Sequence, residues 1–158
     1  MLVQCNCGRR NQLTIAGVPV GREIPEKTAY GEDEGSIIIV VATDAPLLPH
    51  QLKRLARRAT MGLARTGSTS GNGSGDIFIA FSTANPGASR AAGLADLKMV
   101  ANDQMNPLFE ATVQATEEAI VNAMVAAETM VGRDNHRVIG LPHDRLRAVL
   151  KKYNRLKE

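Results

Sequence analysis

The chain is 158 residues long, 44% hydrophobic and 22% charged, with a formal net charge of +3. That make-up fits one globular domain or part of one, and excludes a disordered or fibrous chain. With no Trp and few aromatics, any core must be built from Ala, Val, Ile, Leu and Met. Basic residues gather at Lys53 to Arg58 and in the tail from Arg145 to Lys157. Without aromatic partners they read as solvated helix faces and not as a nucleic-acid surface.

Leu2 to Cys7 is predicted as a strand, Gly8 to Asn11 as a turn, and Gln12 to Val18 as a second strand. Cys5 and Cys7 stand two apart with no further cysteine or nearby histidine, too few ligands for zinc, and read as buried structural thiols. From Gly21 to Glu34 the pattern is lost, and Pro25, Gly31 and the run Glu32-Asp33-Glu34 mark an exposed loop. Ser36 to Thr43 then begins abruptly as a β-branched run without polar alternation, predicted as a strand buried on both faces.

Pro46 and Pro49 close that strand and admit a helix over His50 to Ala64. Its apolar stripe is Leu52, Leu55, Ala56, Ala59 and Leu63, with Arg54, Arg57, Arg58 and Arg65 outward. The small-residue loop Gly67 to Gly75 feeds another buried strand, Asp76 to Thr83. A long helix is predicted from Pro107 to Met130, with Leu108, Phe109, Thr112, Thr116, Ile120, Ala123 and Ala127 on one face and Gly132 as its stop. Leu141 to Leu156 gives a last amphipathic helix. His50, His136 and His143 are scattered and form no metal-ligand cluster. Strands and helices in alternation imply layered α/β packing, with strand order left open.

No run of about 18 apolar residues exists, so no helical membrane span is expected. Met1 to Gln4 leads into strand-like sequence with no basic region or cleavage site, so a secretory signal is not expected either. Together with the absence of a disulfide framework, this sets the expectation of a reducing, cytoplasmic compartment.

Chemistry concentrates at Gly35-Ser36 and at Gly73-Ser74-Gly75-Asp76. On one reading Gly35 supplies a turn and Ser36 caps the strand. On the other, Gly35 leaves its carbonyl open to the Ser36 hydroxyl, an acyl shift gives an ester, and water releases Ser36 with a free α-amine. Such an amine, with a pKa near 7.7–8.0, can act as general base for its own hydroxyl. The second glycine-rich loop lacks the lysine and spacing of a phosphate loop, and its aspartate would repel phosphate. It reads either as a flexible turn or as a relay in which Ser74 and Asp76 position proton-accepting groups at Ser36.

These stretches resemble the DmpA-type family of N-terminal-serine aminopeptidases, which includes L-aminopeptidase/D-amidase/esterases and β-peptidyl aminopeptidases. The resemblance runs through Val3-Gln4-Cys5-Asn6-Cys7-Gly8, Ile15 to Gly21, Gly35-Ser36-Ile37-Ile38, Ala42 to Pro46, Gly73 to Asp76 with Phe81 to Asn85, and Gly132-Arg133-Asp134. It implies an αββα sandwich of the N-terminal-nucleophile type, incomplete in this chain, formed by a precursor that cuts itself into subunits that stay together. Residues 1–35 would then end one subunit and carry the autocleavage loop, and residues 36–158 would form the other.

By the same resemblance Ser36 is the nucleophile, Asn6 the oxyanion-stabilising asparagine, Ser74 the second serine of the site and Asp76 a carboxylate where family members can carry Glu. Asn135 stands where a glycine is expected. The implied substrates are peptides, amides or esters, with no cofactor or metal, and the expected partners are a missing N-terminal segment and further copies of the chain. The segment preceding the asparagine motif in such proteins is absent, so the strand from Ile37 to Thr43 is expected to lack neighbours and expose an edge. A truncated, non-catalytic fragment is therefore the competing expectation. An ornithine acetyltransferase-like protein is a third, disfavoured because those proteins use threonine as nucleophile.

Overall fold

The computed structural model describes residues 1–25 and 35–156; the acidic run Glu32-Asp33-Glu34 lies outside them. The elements in chain order are β1 (Leu2–Asn6), the short α1 (Val20–Glu23), β2 (Ser36–Thr43), α2 (Pro49–Arg65), β3 (Ile77–Ser82), α3 (Asn106–Ala126), β4 (Met130–Val131), β5 (Arg137–Val138) and α4 (His143–Lys152). β1, β2 and β3 form one sheet in that order, and β4 and β5 pair as a small separate hairpin.

β2 lies in the middle of the sheet. It runs antiparallel to β1, with Asn6 opposite Ser36, and parallel to β3, with Ile38 opposite Ile77 and Thr43 opposite Ser82. A parallel neighbour requires a crossover, which α2 supplies. The expectation that β2 lacks neighbours is thus overturned, because both of its edges are paired.

The expectation that β2 is buried on both faces also fails, and the reason is the strand's period of two. Ile37 and Ile39 are fully buried and Val41 is nearly so, whereas Ile38 is 38% exposed. β3 behaves the same way, with Ile79 49% and Phe81 45% exposed on the side that Ile38 shares. An unbroken apolar run here marks a sheet with one face covered by this chain and one face open.

α2 and α3 cover the first face. Pro49 starts α2, and the buried Gln51 accepts the Leu48 N–H at 3.2 Å while donating to the Val100 carbonyl at 2.7 Å. Leu55, Ala59 and Leu63 turn inward as the apolar spacing predicts. Arg54 and Arg58 do not simply point outward, because both lie over the Phe109 ring, Arg58 at 3.8 Å from its centroid. The two helices approach closely at Gly62, where a Cβ would meet the Thr116 Cβ at 2.5 Å and the Val113 carbonyl oxygen at 2.6 Å. Thr112 and Thr116 can be buried there because each hydroxyl donates to the carbonyl four residues back, at 2.7 Å.

Ile37, Ile39, Ala59, Leu63 and Ile120 form the central apolar cluster, and each buried Ile or Leu contributes about 1.5–3 kcal/mol. A second cluster, Val41, Leu47, Leu55 and Met105, lies at the C-terminal end of β2. Val18, Val20 and Ile24 pack against Leu146 and Val149 of α4 in a third.

Three further expectations need correction. Gln12 to Val18 is not a strand: residues 10–12 form a 3₁₀ turn, and Ile15 and Val18 close a tight loop through Ala16 (φ 51°) and Gly17 (φ 75°). α3 ends at Ala126 and not at Met130. The segment around Gly140 passes so close that a Cβ there would meet the Ala127 carbonyl oxygen at 2.7 Å, and the His143 ring bonds the Val125 carbonyl at 2.9 Å, so one of the last carbonyls is satisfied from outside the helix. Met130 instead begins β4, and Asn135, where a glycine was expected, has φ of 60°, a conformation glycine favours and asparagine tolerates. The final helix is also shorter than Leu141 to Leu156, occupying His143–Lys152. Among the described residues no helix is long and apolar enough to cross a membrane.

Candidate active site

Ser36 is the first residue of β2, and its side chain belongs to the open face of the sheet with that of Asn6, its antiparallel partner. The preceding Gly35 is required by space. A Cβ there would lie 2.3 Å from the Asn6 carbonyl oxygen and 3.2 Å from the Cys7 Cα, so only glycine lets the two chains meet. The Gly35-Ser36 step therefore enters the strand pressed against the backbone of Asn6.

The loop before β3 reaches the same point from the other side, because β3 pairs beside β2. The Gly75 N–H donates to Ser36 Oγ at 2.9 Å. Such a donor fixes the hydroxyl rotamer and favours negative charge building on the oxygen. Asp76 follows at once. Its Oδ1 accepts from the Ser74 hydroxyl at 2.6 Å and from the Ile37 N–H at 3.0 Å, and its Oδ2 accepts from the Ser70 hydroxyl at 2.6 Å. Partial burial pushes this carboxyl up, but the Ser70, Ser74 and Ile37 donors outweigh it and hold the group below the usual aspartate value.

The structure thus brings together Asn6, Gly35, Ser36, Ser74 and Asp76 at one end of the sheet. Ser74 bonds to Asp76, while the donor on Ser36 Oγ is the backbone of Gly75, so any relay from Ser74 passes through the carboxylate. Ser70 belongs to the same cluster and went unassigned in the sequence, where a serine in a Gly/Ser-rich loop carries no pattern of its own. Its φ of 48°, unusual for a serine, accompanies the turn that brings the hydroxyl back to Asp76.

On the opposite, covered side of β1, Cys5 and Cys7 are half-buried free thiols packed against the central cluster. The neighbouring Cys7 thiol holds Cys5 below the ordinary thiol range, and Cys5 in turn pushes Cys7 above it, with burial and the nearby Cys5 and Asp76 charges adding to the rise at Cys7. Among the described residues no group of three or more His, Cys, Asp or Glu could hold a metal ion.

Comparison with known proteins gives the family and the fold. The model of Peptidase family S58 matches residues 1–138. The chain is 48% identical over 172 residues to the beta-peptidyl aminopeptidase BapA of Sphingosinicella microcystinivorans, covering 99% of this chain and 43% of that protein. It superposes on the L-aminopeptidase D-Ala-esterase/amidase of Ochrobactrum anthropi, described as a serine aminopeptidase and a variant of the Ntn hydrolase fold, with a TM-score of 0.89 and 52% identity over 98% of this chain and 43% of the other. A Burkholderia sp. beta-aminopeptidase gives a TM-score of 0.82 at 46% identity, covering 95% of this chain and 43% of that one. The chain therefore spans less than half the length of these relatives. The mixed α/β architecture is that of an N-terminal-nucleophile hydrolase, and with the family match running from β1 through β5 the chain belongs to Peptidase family S58.

Proposed function

We propose that this chain carries the self-processing and catalytic machinery of a serine hydrolase that releases N-terminal residues from peptides, amides or esters. The observation that carries the reading is the convergence on Ser36: its Oγ bonded by the Gly75 N–H, Asn6 directly opposite, and Asp76 bonded to the next residue of the strand.

In the processing step Ser36 Oγ attacks the Gly35 carbonyl carbon, and the C–N bond breaks as the ester C–O bond forms. The hydroxyl proton ends on the departing Ser36 nitrogen. Water then hydrolyses the ester, leaving a carboxylate on Gly35 and restoring the Ser36 hydroxyl beside a free α-amine. At a pKa near 7.7–8.0 that amine is partly neutral at neutral pH and serves as general base for Oγ. In turnover the substrate carbonyl replaces Gly35. The Asn6 side-chain N–H stabilises the tetrahedral oxygen, an interaction of about 3–4 kcal/mol in comparable sites. Asp76, its position held by Ser74, keeps negative charge near the forming ammonium.

Denaturing mass spectrometry tests the reading. Chain that has processed itself gives a piece starting at Ser36, and Ser36→Ala gives only the intact mass. An intact wild-type mass in folded protein, alone and after joining with the N-terminal portion of a relative, would defeat it.

A second reading treats the chain as a half that is inactive without a partner segment. The apolar residues Ile38, Ile77, Ile79 and Phe81 on the open face favour it, since such a surface is suited to a second layer in an αββα arrangement. Activity regained only after addition of a relative's N-terminal portion would select it. We place the protein in the cytoplasm, a reading supported by the free Cys5 and Cys7 thiols.

A further inference from the structure

The covered side of β1 holds a feature that hydrolysis at Ser36 does not use. Cys5 and Cys7, at positions i and i+2, turn the same way, and both line a cavity of about 120 Å³. Met124 of α3 lines that cavity as well and packs against the same apolar cluster as the two thiols. Three sulfur-bearing residues thus line one cavity, together with Arg9 and Arg10.

The donor set is selective. Zinc sites take about four ligands, and no third His, Cys, Asp or Glu joins these thiols among the described residues. Hard cations prefer oxygen. Two thiolates and a thioether instead suit a soft, low-coordinate ion, and Cu(I) is among the ions that thiolate and thioether ligands select.

Charge supplies an independent observation. When Cu(I) replaces two thiol protons, which leave to solvent, the bis-thiolate complex carries one net negative charge. Arg10 lines the same cavity, and its Nε is buried with no hydrogen-bond partner. A buried guanidinium donor without an acceptor is costly unless an anionic group is there to meet it.

We propose that Cys5, Cys7 and Met124 form a Cu(I) site whose negative charge is balanced by Arg10. The test is an anaerobic titration of the 158-residue chain with Cu(I), kept reduced by ascorbate and offered from a chromophoric Cu(I) chelator. Native mass spectrometry and thiolate-to-copper absorption in the ultraviolet give the stoichiometry. The expected result is one Cu(I) per chain, not displaced by equimolar Zn(II). Cys5→Ser and Cys7→Ser should each weaken binding by more than about 100-fold, and Met124→Leu, which keeps the apolar volume and so the fold, by about ten-fold. Arg10→Met should weaken it less than either cysteine change. Failure of the wild-type chain to take Cu(I) from the chelator, unchanged stoichiometry in the double Cys5→Ser/Cys7→Ser chain, or displacement by Zn(II) would each overturn the proposal.

Discussion

The two faces of the three-stranded sheet are built from alternate residues of the same strands and serve opposite ends. On one, Ile37, Ile39 and Val41 disappear beneath α2 and α3. On the other, Ser36, Ile38 and the open residues of β3 remain accessible, and the serine at the strand's head meets Asn6 and Gly75. One residue of slip would exchange the two sets, so the packing that buries Ile37 also decides where the Ser36 hydroxyl points. Stability and chemistry share a single register here.

That contrast can be broken by substitution. The largest expected effect lies on the covered face, where Ile39→Ala should cost about 2–5 kcal/mol in urea unfolding through lost burial and a cavity. On the chemical side, Asp76→Asn keeps the side-chain volume but removes the charge, and should slow hydrolysis or processing about 100-fold with little change in unfolding midpoint. An unchanged rate would remove Asp76 from the mechanism.

Ser70→Ala should have a smaller effect, and its signature is in pH. Asp76 is held below its ordinary pKa, so its stabilising charge is fully present above the unfolded aspartate value and is lost as pH falls through the lower folded value. Removing the Ser70 donor raises the folded value, so the acid limb of the rate profile should move to higher pH. A role for Ser70 in loop packing alone would lower stability and leave that limb in place.

The smallest effect is expected on the open face. Ile79→Ala should change the stability of this chain by only about 1 kcal/mol, because half of that side chain is already in solvent. If it costs as much as Ile39→Ala, another chain covers this face in solution.

Most of this architecture was legible in the sequence. The six main strands and helices could be read from β-branched runs, the i, i+3, i+4 spacing of Leu55, Ala59 and Leu63, and proline at helix starts. Burial of the second face could not, since an apolar run reads alike whether its cover is in the same chain or elsewhere. Gln12 to Val18 misled for a related reason: its apolar residues turn inward from a tight loop and not from a strand. The end of α3 depended on Gly140 and His143, far along the chain, which no local pattern reports. At the site, Asn6, Ser36, Ser74 and Asp76 could be picked out from motifs. Ser70 and the Gly75 N–H could not, because a backbone donor and a loop hydroxyl gain meaning only from where the loop returns.

The fit of Gly35 against Asn6 has one more consequence. A freshly made chain end is ordinarily the loosest part of a protein and frays into solvent. If the Gly35-Ser36 bond is cut, the new end starts inside a ladder, with Asn6 on one side and the Ile37 N–H tied to Asp76 on the other. The cut would release a terminus that has nowhere to go, so maturation would alter bonding at the serine without unsettling its address.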